Sequence, residues 1–492
     1  MPDSIRIFKI ETRNFRAFGS RPLKIDLTTK GKNLLVYGEN GSGKSSLFFA
    51  LRDFLECAGR DVAKRDVAVF PYRNIFATTD DGYVKIELTG LPRPAMQSKS
   101  QKKRPMTRVF EWSRSNDDTS DQLILEINKT KGFIDYKALL ATYYLQQDTD
   151  TVNIFDLLIG SILQNIENDI TNRKFGEEWK EIKDKFTSLN YRSKTQKDAL
   201  AESVKLFSDG LIEKLKELRT TAKTILDAFD YDLDLAIACA GIWFDEKGKE
   251  IKNQNVALGV TVFGAARGDH HLFLNEAKLS AISISIFFSA LLLQPESRLR
   301  VLALDDVLIG LDMSNRLPVL EILKNHFSEY QIFFFTYDRA WFEIVKLRFD
   351  DWAQAEFFAG KSDEHDIPVY KEGETDLLIA KDYLNQNDYK AAMVYLRTHF
   401  ELILKKFCNA KGLPVTYHFL DRKNTSEHFW TAVKESKKPD GTDVLSPVVI
   451  ANIQLYRNIT INELCHASFV GTHKAEVAGA ITAVEALEAE LV

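Results

Sequence analysis

The sequence predicts an α/β fold: two strand-bearing lobes, a short helical insertion between them, and an all-α bundle at the C-terminal end. Three observations predict it. A glycine-rich loop joins an apolar strand to an apolar helix in "VYGENGSGKSSLFFALRDF", which begins at Val36. A second apolar strand, "RVLALDD", ends in two acids and comes far downstream, beyond a stretch of helical periodicity. After Lys371 the pattern is helical throughout. The 492 residues leave room for about two to four domains. With 45% hydrophobic and 27% charged residues, the chain falls among ordinary globular proteins with ample core. Its formal net charge of −5 supplies no global attraction to nucleic acid, so such a contact needs a local basic face.

The elements follow in order. Residues 4–38 alternate and read as strands: "IRIFKIETRNF", "LKIDL" and "NLLVYG". A helix is expected from Lys44 to Cys57. "YVKIELTGL" and "TRVFEWSR" are further strands, and the proline-bounded basic stretch from Arg93 to Arg108 is a loop between them. Residues 155–229 have a 3.6-residue period with polar outer faces, which predicts an antiparallel helical insertion. Strands return at "DLDLAIACAGIWFD" and "ALGVTVFGA". A small-residue helix (Leu279 to Leu293), the "RVLALDD" strand, a helix near Leu317 to Phe327 and the "QIFFFTYD" strand come next. A hairpin, "AEFFAG" with "DIPVYKEG", precedes the final helices. The expected domains are 1–154, 155–230, 231–372 and 373–492. Cys57, Cys239, Cys408 and Cys465 are far apart and form no CxxC pair. That argues against a disulfide framework or zinc site and fits a reducing cytoplasm. The N-terminal residues lack the apolar core of a signal peptide. The longest apolar run, "ISISIFFSALLL", is interrupted by serines and ends at Gln294-Pro295, so it reads as a buried helix and not a membrane span.

Gly38-Glu39-Asn40-Gly41-Ser42-Gly43-Lys44-Ser45 fits GxxxxGK[ST] between a strand and a helix. The glycines let backbone N–H groups converge on phosphate oxygens, and the helix N-terminus adds partial positive charge. Candidate nucleotide contacts are Gly38, Asn40, Gly41, Ser42, Gly43, Lys44, Ser45 and Ser46. Lys44 would bind the β and γ phosphates of ATP, and Ser45 would ligate Mg2+. At the end of the acidic strand, Asp305 suits Mg2+ and Asp306 would polarise the attacking water.

A phosphate loop, a long insertion, a helix-opening "LNEAK" (Leu274 to Lys278), an acid pair and then Gly310-Leu311-Asp312 resemble the ABC-type ATPases of the SMC/RecF group. The resemblance covers about residues 4–372 and is specific at the motifs. It implies a two-lobed ABC-type P-loop ATPase head with a short helical arm, and an ATP sandwiched between two copies of the chain. In the family signature, LSxGQ or LSGGE, this chain has Asn275 for Ser and Ala277 for Gly. Asn275 remains a good N-cap and, with Glu276 and Ala277, would face the γ-phosphate held by the other copy. Asp312 is the acid of the "GLD" loop. Asp306 stands where the family has Glu, one methylene longer, which implies slow hydrolysis and a long-lived ATP-bound dimer. The family's Q-loop glutamine, at Mg2+ and the attacking water, maps to Gln146 in preference to Gln147. Tyr337 stands where the family has its switch histidine. "RNFRAF" (Arg13 to Phe18) resembles the family's N-terminal motif near the nucleotide and makes Arg13 and Arg16 candidate contacts.

Taken together, the motifs look most like PtuA-type ATPase subunits of bacterial anti-phage (Septu and retron) systems. That resemblance implies a separate HNH nuclease as partner, with DNA as a further possible ligand. Basic candidates for DNA are Lys99, Lys102, Lys103 and Arg104 in the loop. Lys180, Lys183, Lys185, Arg192 and Lys194 are others on the arm, where Glu177, Glu178, Glu181 and Asp184 intervene. Two alternatives stay open: a RecF-like DNA repair ATPase, and a HEPN-like RNase using Arg457 and His466, which are more widely spaced than that motif requires. No strand-borne DxD of a TOPRIM nuclease follows Lys371, and "SDEHD" reads as a hairpin turn.

Overall fold

The computed structural model describes residues 5–57, 73–91, 106–142, 152–267, 269–361, 366–372, 376–385, 389–416, 426–456 and 474–491. Gln146, Gln147, the basic loop residues Lys99 to Arg104, and Arg457 and His466 lie outside the described residues. The chain divides into two compact units, Met1–Glu372 and Gly373–Val492.

The first unit is organised around a six-stranded sheet. Its strands run in the order Asp366–Glu372, Ala353–Lys361, Leu34–Gly38, Tyr330–Thr336, Arg300–Asp305 and Lys131–Asp135. Every neighbouring pair is parallel except the Ala353–Lys361/Asp366–Glu372 hairpin. The inner strands are covered on both faces. Leu34, Val36, Val301, Ala303, Phe333 and Phe335 enter one core cluster, and Leu35, Tyr37, Leu302, Leu304, Ile332 and Phe334 enter the other. Burial on both sides is why these strands read as unbroken apolar runs and not as alternation.

On the first face lie the helix Lys44–Cys57 and a four-stranded antiparallel sheet, in the order Leu23–Asp26, Arg6–Arg13, Tyr83–Leu91, Met106–Ser113. Leu47, Leu51, Phe54 and Leu55 of the helix are fully buried there, at the spacing of one helical face. Two side chains join the two sheets; Arg6 Nη1 donates to Tyr330 O at 2.9 Å. The buried Gln331 accepts from the Ile7 amide at 2.7 Å and donates to the carbonyls of Ile7 (2.6 Å), Gly31 (3.3 Å) and Lys32 (3.1 Å).

The second face is covered by the helix Glu276–Leu292, in which every residue from Leu279 to Leu291 is buried. The helical insertion packs against it. A helix Phe175–Thr187 turns into a long helix Lys194–Asp227, whose buried stripe (Leu200, Val204, Phe207, Leu211, Leu215, Leu218, Ala222, Ile225) belongs to the same core cluster as the sheet. The arm is therefore part of the head's core and not a free-standing coil. Strands Leu233–Ala238 and Ala257–Val262 pair antiparallel beyond it.

The structure departs from the sequence reading in three places. "IENDITNRK" reads as helix but forms a tight hairpin, Glu167–Asn168 with Arg173–Lys174. There the Asn168 side chain takes the Ile170 amide (3.0 Å) and bonds Glu178 (2.9 Å), a local competition that turns the backbone away from helix. The sequence reading leaves out the helix Gln122–Lys129, whose signal is its cap Asp121, and the edge strand Lys131–Asp135. The helix expected near Leu317 begins at Met313, capped by Asp312 and running through Pro318.

The second unit holds helices Asp376–Asn385, Tyr389–Lys411, Ser426–Lys434, Pro447–Tyr456 and Lys474–Leu491. They share one core that includes Met393, Leu396, Phe400, Leu404, Trp430, Ile453, Val477 and Val484. Phe400 and Phe407 are buried in it, and Tyr383 stacks on Tyr395 at its margin. Among the described residues no helix is long and apolar enough to cross a membrane.

Candidate functional site

The glycine-rich loop closes the top of the Leu34–Gly38 strand. Gly41 and Gly43 have φ of +84° and +90°, a region that residues with a Cβ rarely enter. At Gly38 an added Cβ would lie 2.6 Å from Ser42 Oγ and 2.9 Å from Lys44 Cβ, so the tight turn depends on glycine there. Ser42 is fully buried, and its hydroxyl has no hydrogen-bond partner. A cradle that a Cβ would fill, an orphaned hydroxyl within it and the start of the helix Lys44–Cys57 together fit a phosphate group. Asn40 and Gly41 are exposed, and Ser45 and Ser46 are half-buried on the first helical turn.

Across the sheet, the strand Tyr330–Thr336 separates the loop's strand from the acidic strand. Lys44, only 4% exposed, spans that gap. Its Nζ lies 3.3 Å from Asp305 Oδ1 and pairs more closely with Asp306. Asp305 ends its strand in register with Asp135. Asp306 turns out of the strand with φ +53°. Its amide donates to Phe335 O at 3.2 Å, and its Oδ1 accepts the Tyr337 amide at 3.1 Å. Burial pushes the Asp306 carboxyl above its ordinary range, with Asp305 adding to the rise, while Lys44 and the Tyr337 amide partly hold it down. A carboxylate so placed is a better base than one in water.

The other expected residues are positioned as follows. Asn275 caps the helix Glu276–Leu292, its Oδ1 accepting the Lys278 amide at 3.0 Å. Asn275 and Glu276 are exposed and Ala277 is half-buried. Glu276 accepts from Tyr136 Oη at 3.1 Å. Gly310 comes against the same helical turn: a Cβ there would lie 2.5 Å from Ser280 Oγ and 3.1 Å from Glu276 Cγ. Asp312 is exposed and caps the helix Met313–His326. Tyr337 reaches Asp306 through its backbone, and its side chain is 39% exposed. Arg13 pairs with Asp81 at 2.8 Å. Arg16 pairs with the buried Asp53 at 3.2 Å and lies 4.0 Å over the Phe49 ring. The amide of Ala17, next in line, donates to Ser46 Oγ at 3.3 Å, so the Arg13–Phe18 turn rests on the first turn of the loop's helix. The structure thus brings Lys44, Asp305 and Asp306 together. It sets Asn275, Glu276, Gly310 and Asp312 around an exposed loop and helix start, and engages Arg13 and Arg16 with acids. Arg316, which sequence reasoning passes over, braces this region from the helix Met313–His326; a single arginine in a helix gives no sequence signal.

Residues 9–237 match a family model described as an AAA domain. That span carries the phosphate loop and ends before Asn275 and Asp305. No curated protein matches the chain. Among solved structures, it is similar to the Smc head domain with an extended coiled coil bound to the C-terminal domain of ScpA, from Pyrococcus furiosus, at 13% identity and TM-score 0.39, covering 77% of this chain and 99% of that one. It is similar to the recombination mediator protein RecF with ATP, at 14% identity and TM-score 0.44, covering 75% and 99%. It is also similar to the SMC head domain from Thermotoga maritima, at 13% identity and TM-score 0.33, covering 75% and 99%. The α/β head with helical insertion and C-terminal helices expected from the sequence is the fold observed, and its first half is similar to AAA domains.

Proposed function

We propose that this chain is an ATPase of the SMC/RecF type that binds ATP with Mg2+, dimerises its heads on the nucleotide and controls a separate nuclease of the HNH type in anti-phage defence. One observation carries the ATPase reading: the buried Lys44 joins the phosphate loop to the carboxylates of Asp305 and Asp306 across one intervening strand. When ATP binds, the loop amides and the Ser42 hydroxyl take its phosphates, and Lys44 exchanges Asp306 for them. Ser45 and Asp305 are the residues that would hold Mg2+, which supplies charge neutralisation at the phosphates. Asp306, released from Lys44 but still held by the Tyr337 amide, orients and deprotonates the attacking water. Gln146 is assigned a place beside Mg2+ by resemblance alone.

The dimer reading draws on the exposure of Asn275, Glu276 and Asp312 at one loop cluster. The nuclease partner and the anti-phage role draw on motif resemblance. The reading is tested by ATP binding and turnover of the full chain. Lys44→Ala is expected to abolish binding. Asp306→Asn is expected to keep binding while slowing turnover about 10²–10⁴-fold and trapping a dimer visible by sedimentation. A wild-type chain that neither binds nor hydrolyses ATP overturns the reading. Copurification of an HNH protein supports the partner; a stable complex with DNA alone favours a repair ATPase.

A further inference from the structure

The loop that follows Asp306 and the loop that holds it in place are tied together by one side chain. Arg316 projects from the helix Met313–His326 and is only 13% exposed. Its Nε donates to the carbonyls of Leu308 (3.1 Å) and Leu311 (2.8 Å). Its Nη1 donates to Asp338 Oδ2 at 2.6 Å. Its guanidinium lies 5.8 Å from the Trp341 ring centroid. Asp338 follows Tyr337, whose amide holds Asp306, and Asp338 itself caps the helix Arg339–Arg348 through the Trp341 amide at 3.1 Å. Between the two loops the remaining cavity, lined by Asp306, Leu308, Arg316, Tyr337 and Trp341, is about 10 Å³. That is room for one water at most.

We propose that Arg316 is a positioning residue for hydrolysis. It fixes the spacing between the Val307–Leu311 loop and the Tyr337–Asp338 loop, so that the Tyr337 amide stays on Asp306 when Lys44 leaves for phosphate. This rests on the ATPase reading above. Only a planar fork can reach two carbonyls and a carboxylate at once; a lysine keeps the charge but not the geometry. Without the clamp, Asp306 loses its second anchor at the moment it becomes the base.

The test measures ATP affinity and single-turnover rate separately on the full chain. Arg316→Ala is expected to keep ATP affinity within about twofold and to lower the chemical rate about 10-fold or more. Arg316→Lys is expected to recover only part of that loss. Asp338→Asn, which keeps the helix cap but weakens the clamp, serves as a second probe should Arg316→Ala fold poorly, and is expected to move the rate in the same direction. Arg348→Ala, whose side chain pairs with Glu321 on the outer surface, is the control expected to leave both values unchanged. Wild-type rates in Arg316→Ala and Asp338→Asn, full recovery in Arg316→Lys, or parallel losses of affinity and rate overturn the positioning role while leaving the ATPase reading intact. Absence of ATP binding by wild type overturns both.

Discussion

Asp306 carries two opposing demands in one side chain. Its left-handed backbone suits aspartate better than most residues, because a short polar side chain tolerates that region. Its reach as a base is one methylene shorter than a glutamate's. Asp306→Glu is therefore expected to lower stability by about 1 kcal/mol from backbone strain yet to raise turnover, since the general-base contribution, about 10²–10⁴-fold, is the larger effect. Thermal melting and steady-state ATP turnover measure the two separately; an unchanged or lower rate would show that length does not limit this base. The phosphate loop was legible in the sequence because its chemistry is local: glycines at fixed spacing before a lysine. The partners of that lysine were legible only as nearby acids. Which carboxylate meets Lys44 depends on a strand order that sets Tyr330–Thr336 between them. Arg13 and Arg16 could be named but not placed, since their partners, Asp81 in a distant loop and Asp53 in the helix Lys44–Cys57, are brought to them only by the fold.

At the scale of elements, apolar runs read correctly as central strands, and the buried serine-bearing helix read correctly as core. The reading failed where side chains overrule periodicity, as at the Asn168 turn. Gln331 is a hinge pin between the sheets, and Gln331→Leu leaves the Ile7 amide and three carbonyls without their partner. The expected loss is about 4 kcal/mol or more, since each of the four groups left unsatisfied costs about 1–3 kcal/mol; chemical denaturation reads it. On the insertion, Arg173 on the hairpin and Lys185 on the helix pull the Glu181 carboxyl down to about 2. A depressed carboxylate stabilises above its unfolded pKa, near 4.5, and that contribution disappears as pH falls toward 2. Because the group is exposed, the effect is below about 1 kcal/mol. Arg173→Ala is thus expected to melt slightly below wild type at neutral pH, with the gap closing between pH 4.5 and about 2. A gap independent of pH would mean the loss is packing and not charge.

For the whole molecule, two units with separate cores are expected to unfold as separate events, since each buries its own apolar surface. Calorimetry of the full chain should resolve two transitions. Saturating ATP at about 100 times its dissociation constant is expected to add about 2.7 kcal/mol to the head and to leave the C-terminal transition in place. A single transition, or equal shifts of both, would mean the units are coupled. The division at residues 372 and 373 follows a change from strand to helical pattern that the sequence displays openly.

The charge of Lys44 is neutralised by two neighbouring acids, so an anion gains this cation only by displacing a carboxylate. A lone sulfate or orthophosphate offers too little to prise that contact apart, whereas a metal-bearing triphosphate supplies replacements for both sides simultaneously. Millimolar phosphate is accordingly expected to compete poorly with labelled ATP, a form of selectivity set by the pairing of that lysine.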